Sequence, residues 1–119
     1  MRTPYLQTAV VVLEPGAAEG GPGGAVTRAL CGSWEHEPPC PLAPHHTSAD
    51  QAGDQTRLRI LFAAEPADEG EVRDRIEAAL VGGSVTGPDG QTSRWTLVRT
   101  DPGVIEPGER AHGERLARD

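Results

Sequence analysis

Between Cys31 and Thr47 the chain reads CGSWEHEPPCPLAPHHT, and four of its eleven prolines fall there, at 38, 39, 41 and 44. Each proline removes a backbone donor and turns the residue before it away from the helical region. Neither a helix nor a central strand is therefore predicted through this stretch. No hydrophobic period resumes before Asp54, because the residues that follow, TSADQAGDQ, are polar. The expectation is one Pro/Cys/His-rich loop over 31–54. A structureless connection of that length is uncommon in a compact domain and tends to be functional or disordered.

The fold must then be built from what lies on either side. Tyr5 to Glu14, YLQTAVVVLE, is β-branched, free of breakers and apolar at both parities, the pattern of a strand buried on both faces. Pro15 to Gly24, PGAAEGGPGG, reads as a turn or flexible loop. Ala25–Leu30 is expected as a short strand returning on the first, with a single helical turn as the alternative. In Arg57–Ala64, RLRILFAA, Leu58, Ile60 and Phe62 share one face and Arg57 and Arg59 the other. The helix of about 68–82 carries Val72, Ile76, Ala79 and Leu80 as an apolar stripe. Asp68 and Glu71 are placed to form a capping box at its start, and Gly82–Gly83 to stop it. Ser84–Thr86 and Thr92–Thr100 flank Gly87-Pro88-Asp89-Gly90, a turn sequence.

The class expected is α+β: a small sheet of three to four mainly antiparallel strands covered by one main helix. A strand, a helix and a returning strand make half of a ferredoxin-like unit. One domain spans 1–100, and 101–119 is a charged, weakly structured C-terminal tail. Hydrophobic residues make up 36% of the chain and aromatics 3%, against fifteen glycines and eleven prolines. The core must therefore be small and aliphatic, so a metal, a crosslink or a partner subunit would be a useful staple.

Charge narrows the function classes. The net charge is −7 and all eleven basic residues are arginine, the composition of a high-GC bacterial genome. An acidic balance argues against non-specific binding to nucleic acid and against electrostatic attachment to a membrane. The longest N-terminal apolar run, Ala9–Leu13, is shorter than a signal-peptide core or a membrane span. The expectation is a soluble, cytoplasmic protein, in which cysteines more often bind metal, do redox chemistry or are simply buried than form structural disulfides.

Two groups of residues carry chemistry. Cys31, His36, Cys40, His45 and His46 offer thiolates and imidazoles within sixteen residues, the donor set zinc prefers, although their spacing matches no finger or ribbon knuckle. The same residues, read without metal, are small buried hydrophobes and solvated imidazoles. Read as thiol chemistry they form a redox pair, or a cysteine nucleophile with a histidine base, but with no C-x-x-C and no orienting third group. The second group is Arg57, Arg59, Arg94 and Arg99, which form a positive patch for an anion or an acidic partner if their strands are neighbours; solvated, paired arginines are the ordinary alternative. The glycines at 20–24 lack a phosphate-loop signature.

The leading functional expectation is a non-enzymatic interaction module stabilised by zinc. A metal-free partner-binding domain using the sheet face and arginines comes next, then a thiol-based redox protein or enzyme.

Overall fold

The computed structural model describes residues 1–31 and 43–118. Among them are strands β1 (Thr3–Leu13), β2 (His45–Ala52), β3 (Gln55–Ala64), β4 (Ser84–Thr86) and β5 (Thr92–Gly103), and helices α1 (Gly21–Cys31), α2 (Glu69–Gly82) and α3 (Pro107–Arg118). The strands form one antiparallel sheet in the order β2-β3-β1-β5-β4, curled into a half-barrel. Without the short β4, the connectivity is two interlocked split β-α-β units, the ferredoxin-like arrangement. No helix among the described residues is long and apolar enough to cross a membrane.

β1 is the central strand because both of its faces are apolar. Ala9 and Val11 join Leu58, Ile60, Phe62 and Ala64 of β3 beneath Val26 and Leu30 of α1 and Val72, Ile76 and Leu80 of α2. On the opposite face Leu6, Leu61 and Ala63 form a second, smaller cluster closed by Leu116 of α3. β3 also alternates as its sequence demands, with Leu58, Ile60 and Phe62 inside and Arg57 and Arg59 turned away.

α2 covers the first face with the stripe Val72, Ile76 and Leu80. It ends at Gly83, whose φ of 71° is the left-handed conformation a C-cap needs. Its start differs from the sequence reading. Asp68 is the N-cap residue but closes a preceding 3-10 turn, Pro66–Asp68, and its side chain makes no cap hydrogen bond. No capping box forms; Glu71 lies instead 4.0 Å from Arg75, one turn on.

Five further expectations are corrected. Residues 25–30 are helix, because Val26 and Leu30 sit one turn apart on a buried face and α1 packs on α2. The glycines before them belong to that helix. A Cβ at Gly21 would lie 2.8 Å from the Ser93 Cβ, and one at Gly23 would lie 3.2 Å from the Thr47 Cβ, so the missing side chains let α1 sit down on β5 and β2. Nor is 31–54 one loop. His45–Ala52 is an edge strand paired along its length with β3, held there by backbone hydrogen bonds although it has little apolar surface. Finally, the described residues form a sheet of five strands and three α-helices where three to four strands and one main helix were expected. The segment read as a weakly structured tail supplies the end of β5 and a docked α3, with Gly113 and Leu116 buried.

Candidate functional site

Strand pairing brings the arginines together. All four lie on the sheet face opposite α1 and α2. Arg57 and Arg59 oppose Leu58 and Ile60 on β3, and Arg94 alternates with the buried Trp95. Arg99 lies on the same face because a bulge opposite Val10–Val11 shifts the β5 register, so that Arg99 pairs with Val10 while Leu97 pairs with Val11.

Val10 is flanked by Arg57 on one side and Arg99 on the other, and Asp50 stands beyond Arg57. The neighbouring row is Ser48–Arg59–Thr8–Asp101. Two strand spacings put the Arg57 and Arg99 backbones about 10 Å apart. Between them is a groove of about 440 Å³, floored by Thr8 and Val10 and bounded by Ser48, Asp50 and Glu106.

The four arginines do different things. Arg59 is committed: its Nε and Nη2 each donate to a carboxylate oxygen of Glu109 at 2.8 Å, and Nη2 also donates to the Val104 carbonyl at 2.8 Å. The paired Glu109 raises the Arg59 pKa above its ordinary value, and Arg59 holds the Glu109 carboxyl below its own. Glu109 also accepts the backbone N–H of Glu106 at 2.9 Å, which caps α3. Arg59 thus fastens α3 to the sheet. Arg94 lies opposite Ser84 on β4, away from the groove. Arg57 and Arg99 are exposed and line the groove, and neither makes an ion pair with a described residue.

The cysteine–histidine group is divided. His36 and Cys40, and the side chain of Cys31, lie outside the described residues. His45 and His46, adjacent on β2, point to opposite faces. His45 meets the Thr27 hydroxyl of α1 through Nε2 at 2.9 Å and the Ala43 carbonyl through Nδ1 at 3.1 Å. The His46 ring lies against His112 of α3, the ring centroids 4.9 Å apart and the planes tilted by 48°. One tetrahedral ion therefore cannot take both rings while β2 stays paired. Among the described residues no group of three or more His, Cys, Asp or Glu side chains converges as a metal site.

Sequence reasoning missed His112, Glu106 and Glu109, all in the supposed tail. The proline at the first position of α3, with Glu109 two residues on, was the available signal for a capped helix. His112 has its pKa lowered from 6.5, by burial first and then by His46 and Arg115.

No family model, curated protein or solved structure matches this chain.

Proposed function

We propose that this protein is a non-enzymatic binding module that takes an acidic segment of a partner protein into the groove between Arg57 and Arg99. The observation that carries the reading is the placement of two exposed arginines, without ion pairs to described residues, on either side of one groove in a chain of net charge −7. Exposed cations at that spacing raise the local concentration of an anionic chain and steer its approach. Thr8 and Ser48 add hydroxyls for hydrogen bonding, while Asp50 at one end sets a limit on how far acidic side chains extend.

The test is fluorescence anisotropy with a labelled glutamate-rich decapeptide. Wild type should bind it in a salt-sensitive way, and Arg57→Glu with Arg99→Glu should weaken binding at least about tenfold. Arg94→Glu, away from the groove, should have little effect. Equal binding by wild type and the double variant would remove the proposal.

One observation favours the zinc-stabilised form of the module as a second reading. The hydrogen bond between Thr27 and His45 joins the helix that ends at Cys31 to the strand that starts at His45, so the two flanks of the Cys/His segment are held together. The ligands would be Cys31, His36, Cys40 and His45, with one His45 nitrogen released from its present hydrogen bond. Elemental analysis of tag-free protein decides it: about one zinc per chain supports the set, and less than about a tenth eliminates it.

A further inference from the structure

β2 is the outermost strand of the sheet on its side, and no described strand covers its outer edge. The direction of its backbone groups follows from one hydrogen bond. Ala63 N–H donates to the Pro44 carbonyl at 3.0 Å, so Pro44 and Ala63 form a hydrogen-bonded pair. With the register that follows it, the even-numbered residues of β2 turn their backbone groups toward β3. Thr47, Ala49 and Gln51 turn theirs outward. β2 contains no proline, no lysine and no bulge, the devices that ordinarily guard such an edge.

We propose that this edge pairs antiparallel with the same edge of a second copy of the chain, on a two-fold axis at Ser48. In that register Thr47 exchanges backbone hydrogen bonds with the partner's Ala49, and Ala49 with the partner's Thr47. Ser48 meets its own copy, two small hydroxyl side chains in close opposition. His46 stands across from the partner's Asp50, and Asp50 from the partner's His46, in the non-hydrogen-bonded position where side chains approach most closely. Asp50, the one carboxylate of the strand, thus faces an imidazole that can donate a hydrogen bond, twice over. A register centred on Asp50 would instead set two carboxylates against each other.

Among the described residues, the neighbouring elements leave room. A groove of about 270 Å³ opens beside β2, lined by Thr47 and Ala49 together with Gly20 and Gly23, and α1 packs against α2. A two-fold axis perpendicular to the sheet keeps equivalent faces together. The result is one continuous ten-stranded sheet with isologous symmetry, both arginine grooves on the same side.

Sedimentation velocity over a concentration series tests this, with Ser48→Lys and Ser48→Glu as the variants. Ser48 is exposed, so both should fold, which their thermal melts verify. Wild type should show a reversible monomer–dimer equilibrium. Each variant alone should dimerise at least tenfold more weakly, because like charges meet on the axis. An equimolar mixture of the two should restore dimer as a heterodimer, with a lysine and a glutamate facing each other there. A wild type that stays monomeric into the high micromolar range overturns the pairing and leaves the edge to a foreign strand. Undiminished dimer in Ser48→Lys overturns it equally.

Discussion

Glu109 joins three things: the Arg59 guanidinium, the backbone of Glu106 and the start of α3. Its carboxyl is held below its ordinary pKa, so the folded state binds its proton less readily than the unfolded chain does. The stability it supplies is therefore complete above about pH 4.5 and is lost as pH falls below that value. His112 acts in the same direction at higher pH. Its folded pKa lies below 6.5, so the unfolded chain takes up the proton first and stability declines as pH drops through 6.5. Thermal melts from pH 8 down to about pH 2 should show two successive losses. His112→Gln should remove the upper one and leave the lower. Glu109→Gln should lower the unfolding free energy by about 1–2 kcal/mol at pH 7, the scale of a charge-assisted pair in a partly buried setting. An unchanged acid profile in His112→Gln would show that this ring is not the group responsible.

At the scale of elements, contact between backbones matters more than side-chain bulk. α3 meets β1 through Gly113, where a Cβ would fall 2.9 Å from Pro4 Cβ and 3.5 Å from Leu61 Cδ1. Gly113→Leu should therefore push α3 away from the sheet and cost about 1–3 kcal/mol, as overpacking does. Leu116→Ala should also destabilise α3, by leaving a void beside Leu6 and Leu61. Both effects should appear as faster hydrogen exchange in 107–118 with the sheet amides unchanged. Loss of protection throughout the sheet would mean that α3 and the sheet unfold as one unit. α2 and the β4–β5 hairpin were legible because their signals are local. A stripe at helical spacing, a left-handed Gly83 and the turn at 87–90 each work within a few residues. α1 and β2 were hidden for opposite reasons. α1 begins with residues of poor helix propensity, retained because of how closely it approaches Ser93 and Thr47. β2 lacks the alternation of a half-buried strand, and its one cue was Gly53-Asp54, a two-residue hairpin with Gly53 at φ 68°.

Across the whole molecule, β1 is bonded to a strand on each side and buried on both faces, whereas β2 and β4 lie at the margins. Native-state hydrogen exchange should therefore find the slowest amides in β1 and β3 and the fastest strand amides in β2 and β4. Uniform protection of all five strands would contradict this. The amino-acid sequence by itself determined the strands of the core, the face each turns inward and the main helix, because burial pattern and turn chemistry act between near neighbours. It also placed Arg57 and Arg59 on the outer face of their strand. Only the tertiary structure decided that a bulge in β5 sets Arg99 across Val10 from Arg57, and that Arg59 is taken by Glu109. It likewise decided that His45 and His46 are separated by the sheet itself. Those outcomes depend on register between strands distant along the chain, and a shift of one residue would turn each side chain to the other face.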